Sequence, residues 1–130
     1  MSRFLLDSDV IIWHLRGRHE ATEMIRKLQN FSLPGCSAVS VFEVQMGVKR
    51  GEEEATLRFL KALKIFDINW EVADRSAQLV REYKSKGQTL GVADALIAGT
   101  CLYHDLTLVT YNRKHYPIAE LNIYPVLSLS

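Results

Sequence analysis

The sequence predicts an α/β protein, a three-layer α/β/α sandwich with a mainly parallel central sheet. Short apolar segments typical of buried strands alternate along the chain with longer segments whose apolar residues recur at helical spacing. Strands that alternate with helices favour a parallel sheet covered by helices on both faces. We find no internal repeat, low-complexity tract or linker, and at 130 residues we expect a single domain over residues 1–130.

The first half of the chain begins with an apolar run that is too short for a helix and ends in an acid. Pro34-Gly35 later breaks the chain between a helix and a strand, and Ser40 has the character of an N-cap. The expected elements are a strand at 3–7, helices at 10–15 and about 20–30, a strand at 36–39, and a helix from Ser40 to a stop at Gly51.

The second half continues the alternation, with Gly87 as a typical helix stop. The expected elements are helices at about 53–63 and 71–86, separated by a strand at 65–68, then a helix at about 92–103, a strand at 106–110 and a last strand near 123–126. In parallel sheets of this kind, ligands bind outside the carboxyl ends of the strands. Asp7 ends the first predicted strand and Asn112 lies just beyond a later one.

Composition restricts the possible classes of protein. Hydrophobic residues make up 48% and charged residues 24%, which is typical of a folded globular chain, and no segment has the roughly 20 apolar residues of a membrane span. We therefore expect a cytoplasmic protein. Cys36 and Cys101 lie in apolar surroundings without metal-site spacing, which favours buried reduced thiols over a disulfide or a zinc site.

The charge balance does not by itself indicate a nucleic-acid binder, because 16 Lys and Arg face 15 Asp and Glu for a net charge of +1. If several acids cluster around a metal ion, the rest of the surface is more basic than the total suggests. Candidate basic contacts then include Arg16, Arg113 and Lys114, although an ordinary solvated charge is the better explanation of any one of them.

Asp94 is the strongest single indication of a functional site. It stands near the start of residues 92–102, which are otherwise apolar all round and are expected to form a buried helix. A lone ionised acid in such a helix is expensive to desolvate, so it must be paired, protonated or bound to a cation. The alternative is an ordinary first-turn acid that interacts with the helix dipole.

Asp7 and Glu43 are candidates with credible alternatives. Ser40 and Glu43 fit a capping box, in which the Glu side chain bonds back to the N-cap backbone. Asp7 is followed by Ser8 and Asp9, a D-x-D pattern that is weak alone, and Asp9 could cap the helix that follows.

Taken together, the three acids indicate a cation site. Carboxylates that converge either share protons or hold a positive ion, because two unit charges about 4 Å apart repel by roughly 4 kcal/mol at an effective dielectric of 20. Oxygen ligands alone favour Mg²⁺ or Mn²⁺. The four histidines are scattered without zinc spacing.

Four segments carry a resemblance to a known family. LLDSDVIIWHLRG, SAVSVFEVQMGV, GVADALIAGTCLYHDLTLVTYN and RKHYP, in this order and spacing, resemble the PIN-domain nucleases, most closely the VapC toxins of bacterial and archaeal toxin–antitoxin pairs. The resemblance spans the whole chain. It implies Mg²⁺- or Mn²⁺-dependent cleavage of RNA, with tRNA and rRNA as candidate substrates, a VapB-like antitoxin partner, and a homodimer.

Carried over by position, the metal-binding and catalytic acids are Asp7, Glu43 and Asp94. Asn112 occupies the region where many relatives place a fourth acid, which puts a second metal in doubt, since an amide is a weaker, neutral ligand. Ser8 resembles the hydroxyl that follows the first acid, Asp9 stands where Asn is frequent, and Thr110 is a candidate support for Asn112. Glu43 is expected to be a third ligand or to position the attacking water.

Three other classes of protein share some of these sequence features. A phosphatase of the haloacid-dehalogenase type would use Asp7 and Asp9 but lacks its downstream motifs, and a response-regulator receiver domain lacks a phospho-acceptor in the right place, because Asp67 lies inside an apolar segment. The main alternative is a non-catalytic partner-binding module of the same fold that has lost its metal, with Asn112 as the trace of that loss.

Overall fold

A computed structural model describes residues 2–125. Its strands are β1 (Phe4–Leu6), β2 (Gly35–Ser37), β3 (Lys64–Phe66) and β4 (Thr107–Val109). The helices are α1 (Ser8–Leu15), α2 (His19–Gln29), α3 (Ala38–Met46), α4 (Glu53–Lys61), α5 (Trp70–Ser85) and α6 (Val92–His104), and a 3₁₀ turn follows at Arg113–His115. None of the helices within residues 2–125 is both long enough and apolar enough to cross a membrane.

All four strands are parallel, in the order β3-β2-β1-β4. Leu5 of β1 is paired with Gly35 on one side and with Leu108 on the other. After β1 the chain builds the sheet first in one direction, through β2 and β3, and later in the other, through β4. This reversal of direction opens a crevice at the carboxyl ends of the strands around β1.

Helices cover both faces of the sheet, which confirms the predicted three-layer architecture. Successive residues of a strand point to opposite faces, so Leu5 belongs to a cluster with residues of α5 and α6, while Leu6 belongs to a second cluster with residues of α1–α4. Cys101 and Cys36 are buried free thiols in these two clusters, as predicted, and burial raises the pKa of Cys36 to about 12.

The helices α5 and α6 pack closely because Gly99 has no side chain. A Cβ atom at Gly99 would lie 3.0 Å from Cβ and 3.1 Å from Cα of Ser76 on α5. The Ser76 hydroxyl donates to the Val72 carbonyl within its own helix, at 2.7 Å. This close crossing fixes α6, and with it the first turn that carries Asp94.

Most predicted elements agree with the structure to within one or two residues, but the region of α3 differs. The prediction of Ser40 as an N-cap is wrong: Ser37 is the N-cap, its hydroxyl accepting from the Val39 N–H at 3.1 Å. The helix therefore begins earlier, β2 ends at Ser37, and α3 ends at Gly47 rather than at Gly51. Both serines have the chemistry of a cap, and the first one in the chain is used.

The last predicted strand, at 123–126, extends beyond the described residues. Within the described part, Ile123 forms an isolated parallel bridge with Leu108 rather than a strand. The Leu108 N–H donates to the Asn122 carbonyl at 2.9 Å, and the Tyr124 N–H donates to the Leu108 carbonyl at 2.8 Å. These bonds cover the outer edge of β4.

Candidate active site

A cleft of about 370 Å³ opens at the carboxyl ends of the strands. All three acids predicted from the sequence line it, although they come from the end of β1, the middle of α3 and the first turn of α6. The full set of lining residues is Asp7, Ser8, Asp9, Glu43, Gly91, Val92, Ala93, Asp94, Asn112 and His115.

Asp7 lies at the floor of the cleft and is 6% exposed. It directly follows β1 and is the N-cap of α1, where its Oδ1 accepts from the Ser8 N–H at 2.8 Å. Its Oδ2 accepts from the hydroxyls of Thr110 at 2.8 Å and Tyr116 at 2.9 Å. Burial, together with the charge of Asp94, raises the pKa of Asp7 despite these three donors.

Asp9 ties α1 to the segment that follows β4. It is not the N-cap of α1, because Asp7 takes that position. Its Oδ2 accepts from the Tyr111 N–H at 2.9 Å, and its Oδ1 lies 2.7 Å from the Val10 nitrogen. Burial, together with the charge of Asp7, raises the pKa of Asp9 to about 7.

Glu43 faces the cleft from α3, and its partner is Ser8. The Ser8 hydroxyl donates to Oε1 of Glu43 at 2.6 Å, and the buried Ser40 hydroxyl lies 2.9 Å from that of Ser8. Because Ser40 is inside the helix rather than at its cap, the capping-box interpretation of Glu43 is wrong. Glu43 is available to the cleft instead.

Asp94 occupies the first turn of α6, where Gly91 is the N-cap residue. The side chain of Asp94 is 29% exposed and the neighbouring Val92 is 78% exposed, so the expected burial of the whole helix is wrong for this turn. Burial begins at Ala95. A Cβ atom at Gly91 would come 3.3 Å from Oδ2 of Asp94, so glycine leaves room beside this carboxylate.

Tyr116 is a site residue that the sequence reasoning missed. Its hydroxyl lies 2.9 Å from Oδ2 of Asp7 and 3.3 Å from Oδ1 of Asp94, and its side chain is 3% exposed. The neighbouring His115 places Nδ1 3.7 Å from the other oxygen of Asp94. Both residues belong to the RKHYP segment, but an aromatic residue between a basic stretch and a proline has no distinctive functional signature.

The remaining predicted residues divide into those at the cleft and those away from it. Asn112 is exposed, lines the cleft, and its N–H donates to Thr110 Oγ1 at 2.9 Å. Thr110 therefore supports both Asn112 and Asp7. Arg113 and Lys114 are exposed in the 3₁₀ turn that follows, whereas Arg16 lines a separate groove between α1, α3 and α4.

The donor set fits a hard divalent cation. Four carboxylates line one cleft, and His115 places Nδ1 3.7 Å from Oδ2 of one of them, Asp94. Their ligand atoms are all oxygen, which suits Mg²⁺ or Mn²⁺ rather than zinc. Within residues 2–125, no three Asp, Glu, His or Cys side chains are already arranged to coordinate one metal ion. Both oxygens of Asp7 accept hydrogen bonds. An ion held by three of these carboxylates would therefore require the less buried ones, Glu43 and Asp94, to turn toward it.

The fold and the cleft define a class of protein: an α/β protein with an acidic site at the point where a parallel sheet changes direction. The PIN domain family model matches residues 4–121, and the chain belongs to the PIN-domain family.

The relatives agree with this family. Ribonuclease VapC10 of Mycobacterium tuberculosis is 32% identical over 116 residues, which cover 89% of this chain and 87% of that protein. Ribonuclease VapC19 of the same organism is 30% identical over 115 residues, with 88% of this chain and 92% of that protein covered.

Two solved structures are similar over nearly their whole length. A toxin–antitoxin complex from Klebsiella pneumoniae contains a chain that matches at 30% identity with a TM-score of 0.79, covering 94% of this chain and 97% of that one. The VapBC2 complex of Rickettsia felis, bound to a DNA fragment from its promoter, matches at a TM-score of 0.84 and 24% identity, covering 95% and 98%. The latter likeness concerns the fold alone.

Proposed function

We propose that this chain is a metal-dependent endoribonuclease and the toxin of a VapBC-type toxin–antitoxin pair. The observation that carries the proposal is the meeting of Asp7, Glu43 and Asp94 in one cleft at the carboxyl ends of the strands. These acids are brought together only by the fold. The names of the relatives support RNA as the substrate, since two ribonucleases are 32% and 30% identical to this chain over the aligned residues.

Asp7 and Asp94 would hold a Mg²⁺ or Mn²⁺ ion, and Glu43 would be a third ligand or would accept a proton from the attacking water. Asp7 is fixed by its three hydrogen-bond donors, so its position does not depend on the ion. Glu43 is oriented by Ser8, and the second oxygen of its carboxylate remains available for a water molecule or an ion. Asn112 offers a neutral oxygen at the rim of the cleft.

The ion would supply Lewis-acid activation of water and neutralisation of charge at the phosphate. In-line attack by water on the phosphodiester would leave a 5′-phosphate and a 3′-hydroxyl. Arg113 and Lys114 are exposed directly after Asn112, where they can contact the phosphates that flank the cut bond.

The partner of the chain would be a VapB-like antitoxin, and the active species would be a homodimer. The toxin–antitoxin complex from Klebsiella pneumoniae, at 30% identity, supports a partner of this kind. Because RNA and an antitoxin are both met in the cytoplasm, we propose that the chain acts there.

The test is cleavage of total RNA by the full chain, purified without an antitoxin and stripped of metal. We expect cleavage to appear with Mg²⁺ or Mn²⁺, to stop with EDTA, and to leave fragments whose 5′ ends carry a phosphate. Sequencing of those ends would identify the cut RNA.

The matched pair of variants for this experiment is Asp94→Asn and Asp67→Asn. Asp67 also follows a parallel strand, β3, but it does not line the cleft. We expect Asp94→Asn to abolish cleavage and Asp67→Asn to retain it. Cleavage that survives EDTA or Asp94→Asn in a nuclease-free preparation would contradict the proposal, and a folded but inactive wild-type chain would favour a non-catalytic binding module.

A further inference from the structure

One hydroxyl lies between two of the acids in the cleft. Tyr116 Oη is 2.9 Å from Asp7 Oδ2 and 3.3 Å from Asp94 Oδ1. One carboxylate directly follows β1 and the other lies in α6, so the two residues are 87 positions apart in the chain. The hydroxyl is the shared hydrogen-bond partner of both.

The chain around Tyr116 holds the side chain firmly in this place. The 3₁₀ turn ends there, with the Tyr116 N–H donating to the Arg113 carbonyl at 2.9 Å. Pro117 follows, and a residue before proline is kept out of the helical region, which prevents the turn from continuing. Behind it, Ile118 and Leu121 are buried in the same core cluster as the Tyr116 ring.

A tyrosine hydroxyl has a single proton, so the contacts to the two carboxylates are the two branches of one bifurcated hydrogen bond. The shorter distance makes the branch to Asp7 the stronger one, and the weaker branch links Asp94 to the same hydroxyl. Removal of the hydroxyl would leave Asp7 with its other two donors, but Asp94 would lose its link to the floor of the cleft. Since the Asp94 side chain is 29% exposed, it could then turn toward solvent.

We propose that Tyr116 is a positioning residue that keeps the carboxylates of Asp7 and Asp94 close to each other, so that one divalent cation can bind to both. This inference rests on the proposed metal-dependent function. Tyr116 acts through the two carboxylates and does not itself contact substrate. Groups that orient metal ligands in this way typically change metal affinity by about 10–100-fold when they are removed.

The experiment measures Mn²⁺ affinity, from the EPR signal of free Mn²⁺, for the full chain and three variants. Tyr116→Phe removes the bridging hydroxyl and keeps the buried ring. Thr110→Val removes a different donor to the same oxygen of Asp7, without touching Asp94. Tyr83→Phe is the matched control, because Tyr83 is also buried and its hydroxyl bonds Glu120 and Ala119, away from the cleft.

We expect Tyr116→Phe to weaken Mn²⁺ binding by about tenfold or more, Thr110→Val to have a clearly smaller effect, and Tyr83→Phe to bind like the wild type. Equal Mn²⁺ affinities of Tyr116→Phe and the wild type would overturn this inference but not the proposed function. Equal losses in Tyr116→Phe and Thr110→Val would also overturn it, since the bond to Asp7 would then explain the effect. A wild-type chain that binds no Mn²⁺ would overturn the proposed function as well.

A measurement on the intact site keeps the inference testable if Tyr116→Phe does not fold. Tyrosine labelled with ¹³C at the ζ carbon reports hydrogen bonding of each hydroxyl by NMR, and Tyr→Phe variants at the other positions assign the Tyr116 signal by elimination. We expect Mg²⁺ to shift the Tyr116 resonance and to leave that of Tyr83 in place. An unmoved Tyr116 resonance at saturating Mg²⁺ would contradict a role in binding the ion.

Discussion

The hydroxyl of Ser8 donates a 2.6 Å hydrogen bond to Oε1 of Glu43, and this bond joins the start of α1 to the middle of α3. Ser8 itself is 8% exposed and directly follows Asp7. The same short segment therefore supplies one acid of the cleft and orients another.

Ser8→Ala should weaken catalysis without removing any carboxylate. The substitution frees Glu43 to change its side-chain conformation, and we expect the rate of RNA cleavage to fall by about tenfold or more, as for other groups that orient catalytic ligands. Ser8→Thr keeps the hydroxyl and should remain close to the wild type. A Ser8→Ala chain with the wild-type rate would show that Glu43 needs no support from α1.

Asn112→Asp should strengthen cation binding. Asn112 lines the cleft and is exposed, so a carboxylate there adds negative charge without a large cost of burial. We expect a higher Mn²⁺ affinity or a second bound ion, measured by titration of the metal-free chain. Lys114→Gln, two residues further along the exposed turn, is a control that also makes the local charge more negative but adds no ligand oxygen of carboxylate strength. An Asn112→Asp chain that binds Mn²⁺ no better than this control would refute the prediction.

The buried carboxylates should make the metal-free chain less stable as the pH rises from about 4 to about 7, against an opposite contribution from His14 and His104, whose pKa values burial lowers. Burial raises the pKa of Asp9 from 3.8 to about 7, so over this range the folded chain binds more protons than the unfolded chain. The free energy of unfolding then decreases with pH. Asp7 contributes in the same direction, because burial raises its pKa as well.

This pH dependence is measured by chemical denaturation in EDTA. The variant Asp9→Asn should show a shallower decrease of the free energy of unfolding over the same range, and saturating Mg²⁺ should reduce the decrease in the wild type. The same pH dependence in Asp9→Asn as in the wild type would show that the Asp9 carboxylate is not destabilised in the folded chain.

Gly99→Ala should destabilise the fold by separating α5 from α6. Overpacking against Ser76 costs roughly 1–3 kcal/mol, and the better helix propensity of alanine returns up to about 1 kcal/mol, so a net loss of about 1 kcal/mol is expected. Gly47→Ala is the control, because a Cβ atom there would have its nearest neighbours at 3.8 and 3.9 Å. Thermal unfolding compares the two, and equal melting temperatures would count against the close crossing.

The architecture could be predicted because it follows from local patterns. Apolar runs predicted the four strands of the sheet, and helical spacing predicted the helices that cover it. The first apolar run also predicted that Asp7 directly follows β1. The sequence also indicated which acids belong together. It could not rank them by burial, because burial depends on how the helices stack: Asp7 is 6% exposed, whereas Asp94 lies in an open first turn.

The details of the cleft were less predictable, since they depend on contacts between distant segments. Ser40 has the sequence character of a cap, but in the structure it supports Ser8. Tyr116 reaches two carboxylates from a stretch that shows no periodic pattern. Hydrogen bonds of this kind join residues more than 20 positions apart and leave no signal in either segment alone.

The most direct test of a cation site built on Asp7 is a titration of the metal-free chain with Mn²⁺ at neutral pH, for the wild type, Asp7→Asn and Asp67→Asn. Asparagine is as good an N-cap as aspartate, so Asp7→Asn should fold: its amide oxygen can accept from the Ser8 N–H, and its NH₂ group can donate to the Thr110 and Tyr116 hydroxyls, which are able to accept. If Asp7 is a ligand of the ion, Mn²⁺ binds saturably to the wild type and to Asp67→Asn, and this binding is lost in Asp7→Asn. Equal Mn²⁺ affinities of the wild type and Asp7→Asn, or no saturable binding to the wild type, would contradict it.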